Sequence, residues 1–114
     1  MSKAQQFFED YHGNYPKTQK KFAEALSGFS NLFSKVMKDG ALTLKEKELV
    51  AIGIAVAIRC EPCIRLHIKK ALDLGVTEEQ IIDAASVAVM MGGGPVTTYL
   101  PIVTDTLDHL KESK

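Results

Sequence analysis

Hydrophobic residues recur along this chain at intervals of three and four, and no stretch alternates singly for the length of a strand, so the pattern predicts helices alone. Phe7, Phe8 and Tyr11 mark the apolar edge of a short first helix, which Gly13-Asn14 should end. From Pro16 a longer segment carries Phe22, Ala25, Leu26, Phe29, Leu32, Phe33 and Val36 on one stripe, with Ser27-Gly28 as the place for a bend and Asp39-Gly40 as its end. A stripe of this kind ordinarily buries, so core packing is its expected role and a wall against a ligand the alternative. Thr43 with Glu46 forms a capping box, which predicts a third helix from Leu44 to about Ile58. From Leu49 onward this helix is apolar on every side, with Gly53 and its neighbouring alanines allowing close approach of other helices. A fourth helix spans Pro62 to about Leu74 and stops at Gly75, with Cys63, His67, Ala71 and Leu74 facing inward and Arg65, Lys69 and Lys70 facing water. Thr77 with Gln80 is a second capping box, opening a fifth helix through Ile81, Ile82, Ala85, Ala88 and Met90. Gly92-Gly93-Gly94-Pro95 then breaks the chain as a tight turn, since it lacks the surroundings of a phosphate-binding loop. A last helix follows with Val96, Tyr99, Leu100, Val103, Leu107 and Leu110 in register, kinked at Pro101.

About six helices in 114 residues make one small all-α domain over 1–114. The third and fifth helices lack a polar face and are difficult to bury within one such chain, so a homo-oligomer is expected to cover part of them. Composition narrows the partners. Fourteen basic and fourteen acidic residues leave no net charge, which disfavours nucleic acid and anionic membrane surfaces. The N-terminus has no secretory apolar run and no segment approaches the roughly 20 apolar residues of a membrane span, so a cytoplasmic location is expected. No cofactor-binding pattern is visible.

The chemistry concentrates in Cys60-Glu61-Pro62-Cys63-Ile64-Arg65-Leu66-His67, which holds both cysteines of the chain. Two cysteines placed at random would fall at this spacing on the order of one time in fifty, so the pair carries information. Pro62 suits the first turn of a helix, which puts Cys60 at the entrance and Cys63 within that turn. Free N–H groups and the helix dipole there favour a thiolate, drawing a cysteine pKa from about 8.5 towards roughly 7 or below. His67 lies one turn beyond Cys63 and two beyond Cys60, on the same face, where an imidazole can take or return a proton. His12 and His109 have no such company and are expected in solvent. In a reducing compartment the C-x-x-C pair reads as redox-active or metal-binding sooner than as a structural bridge. On the third helix Glu48 shares a face with Ile52, Ala55 and Arg59; helping the helix dipole is its simplest role.

Glu48, Cys60, Cys63 and His67 together reproduce the E-x11-C-x-x-C-x3-H pattern, and over residues 40 to 110 the chain resembles the alkylhydroperoxidase D-like proteins of the carboxymuconolactone decarboxylase superfamily. The resemblance implies an all-α fold assembling as trimers or hexamers, and a thiol-based peroxidase or disulfide reductase. It implies that Cys63 reacts with a hydroperoxide, that Cys60 resolves the sulfenic acid into a redox disulfide, and that Glu48 and His67 relay protons. A lipoyl-type or thioredoxin-like dithiol is the implied reductant. Carboxymuconolactone decarboxylase activity is the related alternative, although those enzymes typically lack the cysteine pair.

The hairpin geometry of the third and fourth helices makes one part of this hard to satisfy. With a turn near residue 60, Glu48 and His67 are offset by roughly 7 Å along the axis, so a water bridge between them is expected rather than a direct hydrogen bond. From a different class, a zinc module would use Cys60, Cys63 and His67 as ligands, with Glu48 or another histidine as a fourth. A redox-inert scaffold with an incidental cysteine pair is a third reading.

Overall fold

The computed structural model describes residues 1–112. They form six helices of three turns or more and one single-turn helix, with no strand among the described residues, as the periodicity requires. The elements are α1 (Lys3–Lys21), α2 (Ala23–Val36), α3 (Leu44–Ala57), α4 (Glu61–Asp73), α5 (Glu78–Gly92), α6 (Gly94–Thr97) and α7 (Leu100–Glu112).

Both capping boxes form. The Thr43 hydroxyl accepts from the Glu46 N–H at 3.1 Å while the Glu46 carboxylate accepts from the Thr43 N–H at 2.8 Å, and Thr77 and Gln80 repeat the exchange at the start of α5. Two helices end in the same left-handed device. Gly75 (φ 92°) closes α4 while Val76 N–H donates to Ala71 C=O, and Arg59 (φ 58°) closes α3 while Cys60 N–H donates to Ala55 C=O.

The core lies between α3, α4, α5 and α7, with Ile52 and Val56 meeting Ile64, Ile68, Ile81, Ala85, Val103 and Leu107. α3 packs on α5 and α4, α4 on α7, and α7 on α1. Gly53 lies on the α3–α5 contact, but a Cβ there would still clear the Ala84 carbonyl oxygen at 3.5 Å, so the approach does not demand glycine. Among the described residues no helix is long and apolar enough to cross a membrane.

The N-terminal third departs from the sequence expectations. α1 runs unbroken through Gly13-Asn14 and Pro16, and the chain breaks instead at Phe22. Side chains brace the backbone around the proline: Asn14 Nδ2 donates to Asp10 C=O at 3.0 Å and Thr18 Oγ1 to Asn14 C=O at 3.1 Å. Residues 12–14 are exposed, so water can satisfy the His12 carbonyl that Pro16 leaves without a donor. Ser27-Gly28 does not interrupt α2. No residue of α2 is buried, and Phe22, Phe29, Leu32 and Val36 stand in solvent, so the aromatic stripe is not core within one chain. At the other end the expected last helix is two. Gly93 (φ 71°) turns the chain, α6 follows, and Pro101 occupies the first turn of α7 without kinking a longer helix.

Candidate redox-active site

The left-handed turn at Arg59 delivers Cys60 to the N-cap of α4, where its Sγ accepts from the Cys63 N–H at 3.3 Å. Pro62 stands in the first turn, where no backbone donor is missed. Cys60 and Cys63 are joined as a disulfide, with Cα atoms 5.3 Å apart. Both are partly buried, and Cys63 packs against the hydrophobic core.

One turn along α4, His67 Nδ1 meets Glu48 Oε1 at 2.7 Å. The contact is direct, and the expected water bridge is not needed. Counted from the observed ends, Glu48 lies nine residues before the end of α3 and His67 six after the start of α4. Those three residues leave an offset of about 4.5 Å, which two side chains span. Glu48 is only 2% exposed, so it is neither a solvated carboxylate nor a mere helper of the helix dipole. With the carboxylate ionised, Nδ1 carries the hydrogen and Nε2 keeps its lone pair, the tautomer that can act as a base.

Phe33 completes the surroundings. Its ring lies at 22° to the His67 ring with centroids 6.5 Å apart, and Lys70 Nζ sits over the Phe33 ring, 4.2 Å from its centroid. The α2 stripe therefore supplies a wall at the site, the alternative role the sequence allowed. Phe33 was visible only as one member of that stripe.

Arg65 overturns an expectation. It does not face water but is 1% exposed, with Nε on Glu61 Oε2 at 3.2 Å and Nη1 on Asp105 Oδ2 at 2.8 Å and Thr106 Oγ1 at 3.0 Å. The same Asp105 oxygen accepts from the Ala4 N–H at 2.9 Å, tying the start of α1 to α7 and α4. The buried face of α4 is consequently Ile64, Arg65, Ile68 and Ala71, with Cys63 and His67 at its margin. His109 is also not a simple solvent residue: it is partly buried and stacks on Phe8, with ring centroids 5.9 Å apart. Among the described residues no three His, Cys, Asp or Glu side chains are grouped as metal ligands.

The family model of the carboxymuconolactone decarboxylase family matches residues 23–105. Among solved structures, a carboxymuconolactone decarboxylase family protein from Legionella pneumophila in its apo form superposes with a TM-score of 0.83 at 35% identity, covering 96% of each chain. A protein of the same family from Thermotoga maritima, described as having a possible part in an antioxidative response, gives 0.73 at 32% identity over 78% of this chain and 92% of its own. An uncharacterized protein of Cupriavidus necator is 35% identical over 75 residues, 66% of each chain. Uncharacterized protein 4 in the cox locus of Paracoccus denitrificans is 33% identical over 94 residues, 82% of this chain and 85% of its own.

Proposed function

The chain belongs to the carboxymuconolactone decarboxylase family, as an alkylhydroperoxidase D-like member, and from that premise we propose that it is a thiol-dependent oxidoreductase that reduces organic hydroperoxides. The observation that carries this reading is the Cys60–Cys63 disulfide at the N-terminus of α4, one turn from a histidine held by a buried glutamate. The antioxidative description of the Thermotoga relative supports it. Decarboxylation of a lactone gives a C-x-x-C disulfide nothing to do.

In the reduced protein His67 Nε2 takes the Cys63 thiol proton, and the thiolate attacks the distal oxygen of ROOH. An S–O bond forms, the O–O bond breaks, and the alkoxide leaves as ROH with the proton that His67 returns. The Cys63 sulfenic acid is then attacked by the Cys60 sulfur, forming the disulfide and releasing water. A dithiol of lipoyl or thioredoxin type restores the pair. One of its thiols opens the disulfide at Cys60, its second thiol releases the mixed disulfide, and the donor departs oxidised. Cys63 is assigned the peroxide step because it packs on the core beside the His67 face, and Cys60 the exchange step because it stands at the helix entrance.

Two variants test the assignment. Cys60→Ser should react once with a hydroperoxide and leave a sulfenic acid that a dimedone-type reagent traps, whereas Cys63→Ser should not, and neither should turn over repeatedly. The opposite trapping pattern would reverse the roles, and no reaction in either would remove the peroxidase reading.

A further inference from the structure

Arg65 is the largest fully buried side chain in the domain, and it lies two residues beyond Cys63. Taking a guanidinium out of water is costly, and an apolar side chain of similar volume commonly fills such a space as well or better. Packing alone therefore does not account for the charge. Its partners suggest what does: Arg65 Nη1 is fixed by Asp105 and Thr106 on α7, and from that fixed position Nε holds Glu61 Oε2 at 3.2 Å. Glu61 directly follows Cys60 and lies inside the small loop that the disulfide closes.

We propose that the Glu61–Arg65 ion pair sets the reduction potential of the Cys60–Cys63 disulfide, Glu61 opposing a thiolate at the start of α4 and Arg65 relieving that opposition. The inference rests on the redox reading of the pair given above. A carboxylate beside a thiolate destabilises the reduced form, and a disulfide whose reduced form is destabilised is a weaker oxidant. A guanidinium held on that carboxylate cancels part of its field. The cluster of Glu61, Arg65 and Asp105 carries a formal charge of one negative, so removing Glu61 makes it neutral and removing Arg65 makes it doubly negative. Removing both Glu61 and Arg65 leaves Asp105 alone, again one negative charge, so the double variant restores the formal charge of the parent cluster.

The experiment equilibrates the folded protein with dithiothreitol at pH 7 and fixed ionic strength. The disulfide takes two electrons and one proton to give one thiol and one thiolate, dithiothreitol closes to its cyclic disulfide and gives its other proton to the buffer, and alkylation reports the ratio. One unit charge about 8 Å away at a partly hydrated surface shifts such an equilibrium on the order of fivefold. Glu61→Gln should favour the dithiol by about fivefold, roughly 20 mV towards a more oxidising disulfide. Arg65→Gln should move the constant in the opposite direction by a similar factor, and the double variant should return to within about twofold of the parent. Shifts of the same sign in both single variants, as loosening of α4 would produce, would overturn the proposal. So would a Glu61→Gln protein within twofold of the parent. Should Arg65→Gln not fold, Glu61→Gln decides alone, because Glu61 is half exposed. The equilibrium uses no peroxide, so a chain that failed to reduce hydroperoxides would still give this result, and that failure would show separately in peroxide turnover by the parent.

Discussion

The 2.7 Å contact between His67 Nδ1 and Glu48 Oε1 determines which ring nitrogen is left to exchange a proton. His67→Gln keeps a polar side chain of similar reach but cannot act as a base near neutral pH, so the rate of reaction of the reduced protein with peroxide should fall on the order of 10². The variant's rate should then rise with pH only towards the ordinary thiol value near 8.5, where hydroxide makes the thiolate unaided. Glu48→Gln should slow the reaction about 10-fold or more, since the carboxylate bonds the ring directly and fixes its tautomer. A stopped-flow pH profile of the three proteins checks this, and a profile unchanged in His67→Gln would leave the helix N-terminus as the sole activator. At this scale the cysteines and His67 were legible because the spacing and the helix period put them together. Arg65 was not, because an arginine on a helix reads as solvated and its burial depends on Asp105 and Thr106, forty residues downstream.

Helix ends were the most legible elements, and their energetics can be checked. The Glu46 carboxyl is held below its ordinary value by the hydrogen bond from the Thr43 backbone N–H, with the Thr43 side chain adding to it. A carboxyl whose folded-state pKa is depressed contributes stability above its unfolded pKa and loses it as pH falls through the folded value. Glu46→Gln keeps the hydrogen bond without the charge, so it should be less stable than the parent at pH 7 and converge with it only as pH falls through the depressed folded value. Thr43→Ala should cost about 1 kcal/mol at neutral pH in denaturant melts. The stop of α3 was harder to read: Ile58 is the correct boundary, but its left-handed residue is Arg59, where glycine is the usual signal. In α1 the reverse happened, with Gly13, Asn14 and Pro16 reading as breakers although side-chain bonds and exposure let the helix continue. Helix propensity is a local quantity, and the docking of α1 on α7 through Ala4 and Phe8 is not.

For the whole molecule the surface left uncovered is the main fact. Phe29 on α2 is 61% exposed and Ile54 on α3 is 55% exposed. Leu49, Val50, Gly53, Ile54, Ala57 and Met91 line an apolar cavity of about 480 Å³ between α3 and α5. Such a surface rarely stays open in solution, and we propose that further copies of the chain cover it. Sedimentation at micromolar concentration should find a trimer or hexamer. Ile54→Glu, which would place a carboxylate in that contact, should release smaller species by weakening it several kcal/mol. A monodisperse monomer in the parent would show that the face stays open. The all-α class was readable from periodicity, whereas the share of each apolar face covered within one chain was not, because it depends on how the helices pack.

The most direct test of the redox account counts thiols in the fully reduced protein before and after one equivalent of an alkyl hydroperoxide per chain. Two thiols should titrate beforehand and none afterwards, with a Cys60–Cys63 disulfide found within single chains and one equivalent of alcohol released. Two thiols still titratable after the hydroperoxide, with the reagent unconsumed, would contradict it.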